Sequence, residues 1–336
     1  MRNRTPSVST GFLWRALLLF ACFAMPLAVH GQSSSKVPRI GFLASGTTDA
    51  NQIMVDAFRE GMQELGWIEG KNVTIDYRFA EGQFERLPGL ASELVRNKVD
   101  VILATPTPAV FAARDATKSI PIVMASVADP VAQGLIASFA KPGGNVTGTA
   151  FSASFDIYAK QLQLLKEAVP AVKRVAVLTN PGNPGHKTAL RNIRAAAQSL
   201  DLSLQIVEAR TPGDFESAFA EMNKRGAQAV LTISDSMFGS NALILGKLAT
   251  AHRLPSMLGA RMNVEPGGLM LFGPNIPLQV RRAALYVDKI LKGAKPGELP
   301  VEQPTTFQLV INQRTARAIG VTIPPSLLQR ADQVIE

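Results

Sequence analysis

RIGFL (residues 39–43) and RVAVL (residues 174–178) decide how this chain is built. Each is a short apolar run behind an arginine and reads as a buried strand. The segments after the first run return after the second, in the same order. NVTIDYR (72–78) is echoed by LSLQIV (202–207), and Gly82-Gln-Phe84 by Gly213-Asp-Phe215. VDVILAT (99–105) is echoed by AQAVLTI (227–233), and Ile120-Pro121 by Leu254-Pro255. The offset is nearly constant, so the ordered set predicts two similar lobes. Helices expected over Ile53–Leu65 and Glu85–Asn97 alternate with the strands, which implies parallel strands with helices on both faces.

The expected fold class is therefore α/β, two similar doubly wound parallel-sheet lobes joined by a hinge of several crossings. KPGGNVTGTAFSAS (141–154) reads as a turn, a strand and a crossover into a helix over Phe155–Ala168. GGLMLFGPN (267–275) reads as a return crossing before a helix over Leu278–Leu291, and a Pro-rich link, the strand FQLVIN and a helix-like tail come after it. Lobe one is expected to hold residues 36–150 plus about 276–304, and lobe two residues 151–275 plus about 305–336. Lobes tied by several crossings make a hinge with a cleft between them, which closes on a ligand by rocking.

The 336 residues are enough for two lobes with full cores, and 46% hydrophobic against 18% charged residues marks a globular chain. The formal net charge of +9 comes without a Lys/Arg cluster, so it gives no sign of a nucleic-acid partner. The start of the chain carries Arg2, Arg4 and Arg15, then the apolar run ALLLFACFAMPLAV (16–29), then His30-Gly31-Gln32. That is the pattern of a secretory signal peptide over residues 1–31, too short and Pro-interrupted for a membrane-spanning helix. The one cysteine, Cys22, lies inside this run. A lipoprotein cut before Cys22 is the competing reading, and bulky Phe20 and the continuing apolar sequence argue against it. With ordinary cleavage the mature chain has no disulfide, thiol nucleophile or cysteine metal site.

In open parallel sheets ligands sit beyond the carboxyl ends of the strands. The residues there are Ser45 and Thr47, Thr105 and Thr107, Ser126 and Asp129 in the first lobe, and Asn180 with Asn183, Ser234, Asp235, Ser236 and Arg261 in the second. Small hydroxyls, amides and carboxylates suit a small polar ligand. In Thr105-Pro-Thr-Pro108, Thr107 is expected to cap a helix that Pro108 begins. The same free N–H groups and hydroxyl would receive a ligand carboxylate. Asp129, before a proline, either opens a turn or meets the ligand. Asp235 either caps a helix or pairs with a ligand ammonium, and Arg261 holds either a ligand acid or an ion pair within its lobe. Trp67 reads as packing rather than stacking on a ligand.

Four stretches carry a family resemblance. They are FREGMQELGWIEGKNVTIDYRFAEG (58–82), IPIVMASVADPVAQGLIASFAKPGGNVTG (120–148), GGLMLFGPN (267–275) and VEQPTTFQLVINQRTARAIGVTIPPSLLQRADQVIE (301–336). Through them the chain resembles the ABC transporter substrate-binding protein family, whose members include tryptophan/tyrosine-type binding proteins. The resemblance implies a type I periplasmic-binding-protein fold, export, and delivery of a small solute to an ABC permease in the inner membrane. It implies that loops at Ser45, Thr105–Thr107, Asp129, Asn180 and Asp235 line the cleft, and an amino acid as solute is an analogy from it. No cofactor, metal or nucleic acid is expected, and the working form is expected to be a monomer in the periplasm.

Two other classes of function compete with this one. An enzyme would need a G-x-G-x-x-G after the first strand, a P-loop or a nucleophile elbow, and the sequence has none of them. The histidines beyond the signal, His186 and His252, sit in helix-like sequence that reads as solvent-facing. An exported sensor component docking to a receptor or sensor kinase is the alternative that the fold leaves open.

Overall fold

The computed structural model describes residues 37–259 and 267–336, besides Met1 and Asn3. The proposed signal segment, Cys22 and Arg261 lie outside the described residues. Lobe one is built on β1 (Arg39–Ala44), β2 (Thr74–Phe79), β3 (Val101–Thr105), β4 (Ile122–Ala128) and β5 (Val146–Ser152). They form a five-stranded parallel sheet in the order β2-β1-β3-β4-β5. Its helices are α1 (Thr48–Glu64), α2 (Leu87–Arg96) and α3 (Thr107–Ala116).

Lobe two adds α4 (Asp156–Ala168), β6 (Arg174–Thr179), α5 (Pro184–Ser199), β7 (Ser203–Glu208), α6 (Phe215–Lys224), β8 (Ala229–Thr232), α7 (Ser236–Ser240), α8 (Ala242–Ala251), β9 (Ser256–Met257) and β10 (Met270–Gly273). The chain ends with α9 (Ile276–Leu291), β11 (Gln308–Asn312), α10 (Gln313–Ile319), α11 (Pro325–Leu328) and β12 (Gln333–Ile335). The second sheet runs β7-β6-β8-β9-β10-β11-β12. Its first five positions repeat the order of lobe one, and the arginines that open the two echoed strands occupy matching registers, Arg39 beside Thr74 and Arg174 beside Ser203.

Two features differ from the expectation. The second sheet is not wholly parallel, because β11 arrives from the lobe-one side and pairs antiparallel with β10. The tail is not only helical, because it ends in β12, parallel to β11. The helices also shift at their starts. The α1 helix begins five residues before the apolar periodicity does, at the cap supplied by Thr47, whose Oγ1 accepts the Ala50 N–H at 3.2 Å.

Burial explains why these segments are strands. Along β1, Ile40, Phe42 and Ala44 face one apolar cluster and Leu43 the opposite one. A central parallel strand covered on both faces should do this. The first cluster joins Phe42 and Phe58 to Val280, Ala283 and Val287 of α9, so a helix made after most of lobe two completes lobe one. Trp67 packs beside this cluster and its Nε1–H donates to Asp288 Oδ1 at 2.8 Å, an anchor between the turn after α1 and α9. In lobe two, Phe215 and Phe219 of α6 meet Leu245 of α8 on one face, and α4, α5 and the tail cover the other.

The chain passes between the sheets three times, at 152–156, 273–276 and 302–308. The third passage lies against β5, where Ala150 N–H donates to Glu302 O at 2.8 Å and Glu302 N–H to Gly148 O at 2.9 Å. Gly148 itself has φ 127°, and a Cβ there would stand 2.1 Å from Met124 O, so the last glycine of KPGGNVTG is required by the close approach of β4. The β4–β5 register shifts between Met124 and Val127. Inside that bulge Ser126 takes φ 61°, a left-handed conformation uncommon for a side-chain-bearing residue.

Candidate functional site

A cavity of about 110 Å3 lies between the lobes, at the carboxyl ends of β1, β3, β4 and β8. Lobe one lines it with Gly46, Asn51, Met54, Thr105, Thr107 and Ser126, and lobe two with Tyr158, Asn183, Ser234, Ser236 and Ser240. Phe151 and Ile276, which flank two of the crossings, complete the apolar part of the wall.

The two sides differ in how their polar groups are used. Among the described residues, the hydroxyls of Thr105, Thr107 and Ser126 make no hydrogen bond within the chain, and each residue lines the cavity. Thr107 is not the cap of α3. Pro106 holds the cap position, Thr107 is the first helical residue, and Pro108 comes next. Two prolines remove two N–H groups, and the Ala109 and Val110 N–H groups both donate to Pro106 O. The Thr107 N–H is then the free donor at this helix start.

On the other side the groups bind one another. Asp235 caps α7, its Oδ1 accepting the Met237 N–H at 2.8 Å. Its Oδ2 accepts from Asn183 Nδ2 at 2.9 Å and from Asn180 Nδ2 at 3.5 Å. The Asp235 side chain is 0% exposed, so the residue borders the cavity with its backbone while its carboxylate is turned into the lobe. Its capping role is what the geometry supports; the ammonium-pairing alternative has no exposed carboxylate to work with.

His186, read from sequence as solvent-facing, is 3% exposed. The error has a simple source: α5 is amphipathic, and His186 is on its first turn, beneath the β8–α7 loop. The Asn180 N–H donates to Nδ1 at 3.0 Å, so Nδ1 is an acceptor and the ring proton sits on Nε2, 3.2 Å from Ser234 O. Burial pushes the imidazole below its ordinary value, against the opposing pull of Asp235. Tyr158 OH accepts the Ser234 N–H at 3.4 Å, and burial raises the hydroxyl well above the usual tyrosine range, so it keeps its proton.

The remaining sequence-predicted residues fall around the cavity rather than in it. Ser45 is fully buried behind Gly46, and its Oγ stands 2.7 Å from Ser236 Oγ across the two lobes. Thr47 caps α1 and its N–H donates to Ser240 Oγ at 3.4 Å, a second bridge between the lobes. Thr47 and Asn180 line a neighbouring outer chamber with Phe84 and Arg210. Asp129 is a turn residue: its Oδ1 accepts the Ala132 N–H at 3.0 Å, and it does not line the cavity. The strand-end rule found Ser236 and missed Asn51, Tyr158 and Ser240. Ser236 and Ser240 stand one helical turn apart directly after Asp235, a spacing the sequence displays.

Two lobes of repeated α/β topology around an interlobe cavity define a type I periplasmic-binding-protein fold, which more distant solved structures share. Residues 40–335 match the model of the ABC transporter substrate binding protein family, and the chain belongs to that family. The family consists of solute-binding proteins, not enzymes. The chain is 29% identical, over 79% of its length and 75% of the relative's, to the tyrosine-binding protein of Clostridioides difficile strain R20291. It is similar to the ABC domain in complex with L-Trp from Streptococcus pneumonia, at 28% identity and TM-score 0.82, covering 89% of this chain and 99% of that one. The ligand-free, open structure of a substrate binding protein with adhesive properties from Clostridium difficile has 26% identity with the same coverage, but TM-score 0.63. At nearly equal identity, the chain is more similar overall to the L-Trp complex than to the open protein.

Proposed function

We propose that this chain is the extracytoplasmic solute-binding component of an ABC importer. It is exported after removal of residues 1–31, works as a monomer in the periplasm, and carries a small amino acid from its interlobe cleft to the permease in the inner membrane. The observation that carries the reading is the cavity between the lobes, with free hydroxyls and the Thr107 N–H on one wall and direct lobe-to-lobe contacts at its rim. The Thr105–Thr107 corner would take the solute's carboxylate, helped by the positive end of α3. Met54, Phe151 and Ile276 would take an apolar side chain. The relatives named for tyrosine and bound to L-Trp support an amino acid.

Among the described residues no helix is long and apolar enough to cross a membrane. Thermal melting of the purified protein against amino acids, sugars and organic acids tests the reading. A solute at a hundredfold excess over Kd adds about 2.7 kcal/mol to stability. A raised midpoint with an aliphatic or aromatic amino acid supports it. A response to sugars alone overturns the amino acid, and no response with any member of the library overturns the solute-carrier reading of the cleft.

A further inference from the structure

We infer that His186 is a positioning residue for the floor of the cleft, and that adding a second proton to its ring dismantles that floor and weakens solute binding. The inference rests on the reading of the cleft as the solute site, and goes beyond it by assigning a proton-linked control. His186 touches no solute position. It joins the two loops that form the lobe-two wall: Nδ1 accepts from the Asn180 N–H, with Thr179 Oγ1 also at 3.0 Å, and Nε2–H donates to Ser234 O. Asn180 opens the loop that carries Asn183, and Ser234 opens the loop that carries Asp235 and Ser236. Asn183, Ser234 and Ser236 line the cavity.

In the neutral ring every partner is matched. A proton on Nδ1 would point at the Asn180 N–H, donor against donor, inside a site with 3% exposure. The added proton can turn to Thr179 Oγ1, but the Asn180 N–H is then left without its acceptor, and that loss is relieved by moving the Asn180–Asn183 loop, which carries the Asn183 contact with Asp235, or by turning the ring off Ser234 O. Two other groups bear on this chemistry. Asp235 Oδ2, from α7, lies 3.6 Å from Nε2 and favours the charged ring, and the Tyr158 hydroxyl, from α4, reaches Ser234 and is neutral throughout. Phe238, also from α7, presents only its ring, with centroids 6.3 Å apart.

The test has two readouts on the full protein. The first is histidine 15N and backbone amide spectra between pH 8 and pH 4 without solute. The expected result is an Nε2–H ring above neutrality that protonates in one step, with the Asn180, Asn183 and Ser234 amides shifting at the same midpoint. An Nδ1–H ring, or amides that do not track the ring, overturns the inference whether or not any amino acid binds. The second is affinity for L-tryptophan as probe. H186A is expected to lose at least tenfold at pH 7.5. H186N, whose Oδ1 can accept the Asn180 N–H but does not titrate, should recover most of that affinity. Wild type should weaken at least tenfold once its ring is protonated, and H186N less than threefold over the same interval. Equal acid weakening in H186N and wild type overturns the inference. Absence of L-tryptophan binding at pH 7.5 in wild type counts against the amino-acid reading instead, and the spectra then decide the role of His186.

Discussion

The two walls of the cleft occupy equivalent places in a repeated fold and use their polar groups in opposite ways. In lobe one, Thr105, Thr107 and Ser126 come off strand ends with hydroxyls that have no partner among the described residues. In lobe two, Asn180, Asn183 and Asp235 come off strand ends and pair with each other and with His186 of α5. One wall keeps free hydroxyls, and the other is a network of side chains that bind one another. The difference teaches that position at a strand end, taken alone, does not make a ligand contact. What matters is whether a local partner has already claimed the group.

The comparison breaks most readily at Asp235. Replacing it with Ala leaves two amide donors and a helix N–H without their acceptor, so urea unfolding should report a loss of about 3 kcal/mol from the charged hydrogen bonds and the cap together. A loss below about 1 kcal/mol would mean that the network does not hold lobe two. The next effect is a pH dependence. His186 has a folded value below the unfolded one, near 6.5, so the unfolded chain takes up the proton first. Stability from this group is complete above that value and falls as the pH drops below it, by up to about 1.4 kcal/mol per unit, until the folded value is reached. H186N should flatten that part of the stability profile.

Lobe one should behave in the opposite sense. Thr107→Val removes a hydroxyl that no described residue uses, so stability should stay within about 0.5 kcal/mol. Solute affinity should fall by roughly 1 kcal/mol, about fivefold, in calorimetry. A stability loss with unchanged affinity would assign Thr107 to the scaffold. The smallest expected effect is at the rim. Ser45→Ala breaks the Ser45–Ser236 bridge between lobes, and should weaken solute binding by about threefold, within the usual range for one neutral hydrogen bond. X-ray scattering with saturating solute should then show a larger open fraction than in wild type.

The fold was legible because burial on both faces leaves an unambiguous mark. RIGFL and RVAVL are apolar after their arginines, as central parallel strands must be, and the echo between them carried the likeness of the two lobes. The antiparallel β11 was not legible, since the direction of a strand is set by where the chain re-enters the sheet and not by its own residues. The site was legible in part. Thr105, Thr107, Ser126 and Ser234 border the cavity, whereas Asp129 closes a turn, and Asp235 turns its carboxylate inward. A sequence shows that a carboxylate comes after a strand; it does not show that two asparagines from another loop, some fifty positions away, reach it first. His186 was misplaced for the same reason.

The return of the chain as α9 has a consequence for biosynthesis. One face of the first sheet, with Phe42 and Phe58, is covered by Val280, Ala283 and Val287. A growing chain must therefore carry an uncovered apolar surface until residue 291 has been made, long after all five strands of that sheet exist. Closing contacts of such wide separation slows folding. The lobe whose strands are synthesised first thus waits for a helix made only after most of the other lobe, and during that interval its exposed face is the part of the molecule most in need of a chaperone.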